Sequence, residues 1–196
     1  MVKKTARTIL KTIEENLEGI SEKDIKDFIV KISNSKNIFI VGAGRSGLVG
    51  KSFGMRLMHL GYSIFIVGDT ITPSIGKEDL LIAISGSGKT PSVKLCLSVA
   101  SKKETKIAII TSAKKSTFKN IANVVIRISK SVRKSGNIDD YEVRQLKGTR
   151  NEITLTPLGT IFKLSSLIFC DSVIAKLMEI KKISEEDMKK KHANLE

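Results

Sequence analysis

The residues best suited to chemistry sit in one short loop. Ser85, Gly86, Ser87, Gly88, Lys89 and Thr90 follow an unbroken apolar run, Leu80 to Ile84, and supply hydroxyl donors, unobstructed backbone N–H groups and a single cation. The run is too short for a helix between turn signals and predicts a buried strand. Thr90 is a suitable N-cap and Pro91 a suitable first helical residue, so a helix opens here with its positive end towards the loop. Such an arrangement binds anions, phosphate above all. Gly88-Lys89-Thr90 also ends like a nucleotide-binding P-loop, but Ala83 stands where that motif has its first glycine and lies inside the strand. No Walker-type acid closes a neighbouring apolar strand, which argues against nucleotide hydrolysis.

A second glycine loop, Gly42-Ala43-Gly44-Arg45-Ser46-Gly47, satisfies the G-x-G-x-x-G spacing between a strand and a helix. Asp69, near the end of the following strand, stands where a ribose-binding acid would be, so a dinucleotide is one reading. Arg45 and Ser46 inside the loop suit a sugar or phosphate contact equally well. A tight turn without ligand is the plain structural alternative, and Gly68-Asp69 is equally natural as a turn. Two such loops at the carboxyl ends of strands in one sheet imply a single site between them.

The elements that must position these loops follow from apolar periodicity. Ala6, Ile9, Leu10, Ile13 and Leu17, and then Ile25, Phe28, Ile29 and Ile32 after the N-cap Ser21, predict two helices. Strands are expected at Asn37 to Val41, Tyr62 to Val67, Leu80 to Ile84, Lys106 to Ile110 and Val124 to Ile128. Helices are expected after Gly47, bearing Val49, Phe53, Leu57 and Leu60; after Thr90, bearing Val93, Cys96, Leu97 and Ala100; and, in short form, at Ser116 to Ala122. Ser129 to Asn151 is polar, charged and without period, which predicts a long loop. Thr156 and Pro157 repeat the cap-and-proline start and open a helix to about Met178, and a short helix follows Ser184. Almost continuously apolar strands alternating with helices indicate an α/β fold, doubly wound, with a parallel sheet covered on both faces.

The 196 residues fit one domain, 1–196, with N-terminal helices over 1–36, sheet and helices over 37–128 and C-terminal helices over 152–196. The formal net charge of +14 favours anionic partners, although scattered lysines supply much of it. No recognition motif or interleaved aromatics indicate nucleic acid. The longest apolar stretch, Leu164 to Met178, is broken by Asp171 and Lys176, which argues against a membrane span. Cys96 and Cys170 lie in separate helical patterns without CxxC spacing and read as reduced thiols of a cytoplasmic protein. His59 and His192 are the only histidines, too few for a metal cluster.

Taken together, the two loops resemble the sugar isomerase (SIS) family of phosphosugar-binding domains. Lys51-Ser52-Phe53-Gly54-Met55-Arg56-Leu57-Met58-His59-Leu60-Gly61, Pro157-Leu158-Gly159-Thr160-Ile161-Phe162 and the ending His192-Ala193-Asn194-Leu195-Glu196 are similar to its 6-phospho-3-hexuloisomerase branch. The resemblance implies a three-layer α/β/α domain with a five-stranded, flavodoxin-like parallel sheet. It further implies a homotetramer with sites near subunit interfaces, interconversion of 3-hexulose 6-phosphate and fructose 6-phosphate, and no metal or organic cofactor. Ser85, Ser87 and Thr90, with the amides of Gly86, Gly88 and Lys89, would hold the phosphate; Gly44, Arg45 and Ser46 would meet the sugar. His59 stands in an otherwise apolar helix, where a structural and a participating role are both open. His192 resembles the family's tail histidine, which reaches a neighbouring subunit's site.

One position departs from the family pattern. The glutamate that follows the phenylalanine, thought to be the base of an enediol mechanism, is here Lys163. Isomerisation between adjacent carbons needs a group that takes a proton from one and returns it to the next. Three solutions are open. Glu152 or His192 supplies the base; Lys163 acts as a desolvated base or stabilises the enediolate beside Arg45; or the chain binds phosphosugars without isomerising them.

Overall fold

The computed structural model describes residues 2–118, 120–129 and 159–194. Two helices, α1 (Val2–Glu18) and α2 (Glu22–Ser33), precede β1 (Ile38–Gly42), α3 (Arg45–His59), β2 (Ile64–Ile66), β3 (Leu80–Ile84), α4 (Pro91–Lys102) and β4 (Lys106–Thr111). A 3₁₀ turn at Lys115–Phe118, β5 (Val124–Arg127), α5 (Thr160–Lys181) and α6 (Glu185–Lys189) complete the described chain.

All strand pairs are parallel and the sheet order is β2-β1-β3-β4-β5. This is the α/β/α arrangement expected from the alternating pattern. Right-handed crossovers force its layering: β1 hands on to β2 on one side of the sheet and β3 to β4 on the other, so α3 and α4 lie on opposite faces. Val49, Phe53 and Leu57 of α3 share one core with Phe28 and Ile32 of α2, Phe169 and Val173 of α5, and Ile38, Ile40, Ile82 and Ile110 of the sheet. Phe28, fully buried, joins three helices, its ring centroid lying 6.4 Å from that of Phe53 and 5.9 Å from that of Phe169. The opposite core sets Val93, Leu97 and Ala100 of α4 and Phe118 against Phe39, Leu81, Ala83 and Ile109. Each strand therefore alternates its apolar side chains between two cores. That is why the central strands read as continuous apolar runs.

Several boundaries differ from the sequence expectation. β2 is limited to Ile64–Ile66 instead of Tyr62 to Val67, since it is an edge strand paired only with β1. The expected helix at Ser116 to Ala122 is a single 3₁₀ turn that begins one residue earlier. The expected start of α5 at Thr156 and Pro157, and almost all of the Ser129 to Asn151 loop, lie outside the described residues. α5 ends at Lys181 with Lys182 in the left-handed conformation. On the outer side, α1 is tied to α5 by a buried hydrogen bond of 3.3 Å from Asn16 Nδ2 to Ser165 Oγ.

Phe28 and Leu10 give contrasting predictions. Phe28→Ala opens a cavity where three helices meet and lowers unfolding stability by about 3–5 kcal/mol. Leu10→Ala, at a position 62% exposed, changes it by less than about 0.5 kcal/mol. Urea denaturation of the two variants checks both values.

Candidate functional site

β1 and β3 are adjacent, with Gly42 paired to Ile84, so both glycine loops leave the same edge of the sheet side by side. Because α3 and α4 depart towards opposite faces, the two loops part and leave a crevice. Ligands of open α/β sheets bind at such points. Here the crevice is a cavity of about 240 Å³ lined by Ala43, Arg45, Ser46, Ile84, Ser85, Gly86, Ser87, Thr90 and Lys163.

The serine-rich loop is held by its own hydroxyls. Ser85 Oγ accepts from Gly88 N at 3.2 Å, Ser87 Oγ accepts from Lys89 N at 3.2 Å, and Ser85 Oγ lies 3.2 Å from Thr90 Oγ1. Thr90 occupies the N-cap of α4 as expected, yet its hydroxyl makes no capping bond and turns to Ser85. The amides at the start of α4 are thereby not capped by that side chain. The Gly86 carbonyl is drawn towards the end of β4 by donors from Ser112 N (3.1 Å), Ser112 Oγ (2.7 Å) and Thr111 Oγ1 (3.2 Å). Nothing in the sequence of Thr111 or Ser112 announced this role, because the contact spans 25 and 26 residues.

Close approach explains two sets of glycines. Gly88 has φ +68°, and a Cβ there would lie 2.4 Å from Phe118 Cζ. In the first loop, a Cβ on Gly47 would lie 2.8 Å from Gly42 O, and one on Gly42 would lie 2.9 Å from Gly47 N. The strand end and helix start can touch only without side chains. These glycines, like Gly44 at the N-cap of α3, shape the turn and do not line the cavity.

Arg45 and Lys163 stand together at the other side of the cavity. Arg45 Nη1 donates to Thr160 Oγ1 at 3.1 Å, tying the start of α3 to the start of α5. Lys163 lies in the first turn of α5. Burial first, and then the Arg45 guanidinium, hold its ammonium below the usual lysine range. Ser46 is buried beside them, and Phe162 lies under Gly86. Sequence reasoning assigned no part to Ala43, Ile84 or Thr160, which are respectively a lining residue, a lining residue and the partner of Arg45.

Other candidate residues lie elsewhere. Lys89 is exposed on the loop and does not line the cavity. Glu152 lies outside the described residues. His59 ends α3, about 21 Å along the helix from Arg45 at 1.5 Å per residue, and packs its ring on that of His192 with centroids 5.3 Å apart. Within their own chain, the two histidines are thus brought to each other and not to the cavity. Asp69, the residue a dinucleotide would need, lies 3.9 Å from Lys51 in an exposed ion pair and is absent from the cavity wall. Among the described residues no group of three or more His, Cys, Asp or Glu could hold a metal ion, and no helix is long and apolar enough to cross a membrane.

Known proteins share this fold and its family. Residues 31–142 match the SIS domain. A 3-hexulose-6-phosphate isomerase of Methanocaldococcus jannaschii is 40% identical over 187 residues, spanning 95% of this chain and 91% of that protein. Its Bacillus subtilis namesake is 37% identical over 188 residues, spanning 96% and 95%. A crystal structure from Methanococcus jannaschii, from which a molecular function of 3-hexulose-6-phosphate isomerase was inferred, superposes with a TM-score of 0.79 at 34% identity over 98% of this chain and 99% of that one.

Two predictions arise here. Gly88→Ala meets both the positive φ and the Phe118 ring, so it costs about 1–3 kcal/mol and weakens binding of inorganic phosphate. Wild-type melting and phosphate titration in that variant would contradict the loop's dependence on glycine. The second concerns pH. His59, 3% exposed, has its pKa lowered from the ordinary 6.5 by burial, then by His192, then by Arg56. A depressed folded-state pKa means that the unfolded chain takes up the proton first. The associated stability is present above pH 6.5 and lost as pH falls through the lowered value. His59→Gln flattens this acid limb in melting curves collected between pH 7 and 5.

Proposed function

Because this chain belongs to the SIS-domain family, we propose that it is a phosphosugar isomerase that interconverts 3-hexulose 6-phosphate and fructose 6-phosphate. The observation that carries this reading is the single cavity wall formed by the Ser85–Thr90 loop on one side and by Arg45, Ser46 and Lys163 on the other. The first side suits a phosphate: hydroxyl donors, loop amides and the positive end of α4 converge there. The second side suits the sugar carbons. The named activity of the Methanocaldococcus and Bacillus relatives supports the substrate pair.

In this mechanism Lys163, in its neutral form, removes the proton from the sugar carbon next to the carbonyl. The electron pair of that C–H bond forms the enediolate, and the carbonyl oxygen takes the negative charge. Arg45 stabilises that oxygen. The hydroxyl proton of the first carbon passes to that oxygen while the Lys163 ammonium returns its proton to the former carbonyl carbon, which leaves the carbonyl on the first carbon, so the internal redox change balances without a co-reactant. Desolvation of Lys163 makes the neutral form accessible nearer to neutrality. Of the remaining solutions, base catalysis by His192 requires the cavity of another subunit in a homotetramer.

A second reading is favoured by one observation, the lysine at the cavity where a carboxylate is the usual base: a non-catalytic phosphosugar-binding module. Turnover separates the two. The isomerase reading expects conversion of 3-hexulose 6-phosphate by the pure protein, falling about 10²- to 10⁴-fold in Lys163→Met. It also expects kcat to rise with pH through the lowered lysine pKa, a limb absent in the Met variant. Sugar phosphates that raise the melting temperature without being converted, together with turnover gained by Lys163→Glu, establish the binding module instead.

A further inference from the structure

Beyond α1, which begins at Val2 with no acid in its first turn, the helices fall into two groups by how their amino ends are treated. α2 and α6 begin as isolated helix ends should: Ser21 and Ser184 cap them, and Glu22 and Asp24, or Glu185, Glu186 and Asp187, occupy their first turns. α3, α4 and α5 have neither a side-chain cap nor an acid in the first turn. All three start at the cavity, at Arg45, after Thr90, and at Thr160 beside Lys163. Two of them go further and place a cation where the helix dipole is already positive, Arg45 on α3 and Lys163 on α5. Each such placement is unfavourable in isolation.

Nothing among the described residues offsets this charge. Among the described residues no Asp or Glu lines the cavity, and neither Arg45 nor Lys163 makes an ion pair. Among the described residues the one charged neighbour that acts on Lys163 is Arg45, which repels it. Ser46, 6% exposed, lines the cavity between the loops, and its hydroxyl makes no hydrogen bond among the described residues. A phosphate seated on Ser85, Ser87 and Thr90 is served by hydroxyls, amides and the α4 dipole. The two cations and the Ser46 hydroxyl remain for a second negative group.

We propose that the ligands this cavity prefers are sugar phosphates carrying a second, permanently anionic group, a carboxylate or another phosphate, at the Arg45–Lys163 end. The proposal rests on the phosphosugar reading for its first anion and adds the second. The volume of about 240 Å³ limits the class to small polar molecules, since drug-sized sites occupy roughly 300–1,000 Å³.

Isothermal titration of the full chain tests this with four probes: inorganic phosphate, fructose 6-phosphate, fructose 1,6-bisphosphate and 6-phosphogluconate. The bisphosphate, the sugar acid or both should bind at least about tenfold more tightly than fructose 6-phosphate, a difference within reach of one charge-assisted contact. Which of the two wins identifies the second group. In Lys163→Met the preference should shrink to about twofold; Lys163→Gln repeats the test if the Met variant is unstable. Fructose 6-phosphate binding as tightly as both doubly charged probes overturns the proposal and leaves the phosphosugar reading standing. A preference that survives both Lys163 variants overturns it too. If none of the four binds, both readings fall.

Discussion

The parting of two neighbouring strands is the constraint on which the rest depends. β1 and β3 are paired from Ile38 and Leu80 to Gly42 and Ile84, yet their helices must leave towards opposite faces to keep both crossovers right-handed. Their loops cannot continue side by side, and a crevice opens at the carboxyl edge. Everything that makes the site specific is fitted to that geometry. Gly42 and Gly47 allow the first turn to close on itself, Gly88 passes beneath Phe118, and the Gly86 carbonyl is drawn to β4 by Thr111 and Ser112.

Rigidity comes from burial on both sides of the sheet. The central strands are covered by α2, α3 and α5 on one face and by α4 and the 3₁₀ turn on the other, with Phe28 filling the junction of three helices. The carboxyl edge of the sheet can therefore tolerate local features that a surface could not, such as uncapped helix ends and adjacent cations, because the core fixes where those ends point. Arg45 and Lys163 are separated by more than a hundred residues, and the Arg45–Thr160 hydrogen bond reports how closely the fold brings their helices together. Their mutual repulsion costs stability, and an anion placed between them would relieve it.

Much of this was legible in the chain because the signals are short-ranged. A buried strand is an apolar run of a few residues, and a strand-to-helix loop rich in glycine and serine is contiguous. β3, for instance, has the same limits in sequence and structure, Leu80–Ile84. Where the signal depended on neighbours, the sequence alone erred or was silent. β2 is shorter than its apolar pattern because an edge strand has one partner, and the segment after Lys115 makes only a 3₁₀ turn. Thr90 was rightly placed at the start of α4, but its hydroxyl went to Ser85 instead of the helix amides.

The sequence by itself thus determined the α/β class and the place of the two loops, since residue type, spacing and strand-to-helix context are all local properties. Only the tertiary structure decided how those pieces combine. It placed Lys163 and Arg45 on one cavity wall, lowered the lysine's basicity by burial, and set His59 against His192 at the far end of α3, away from that wall. The reason is that proximity across a sheet edge, and the loss of water that comes with it, follow from strand order and helix packing, and no stretch of neighbouring residues encodes either one.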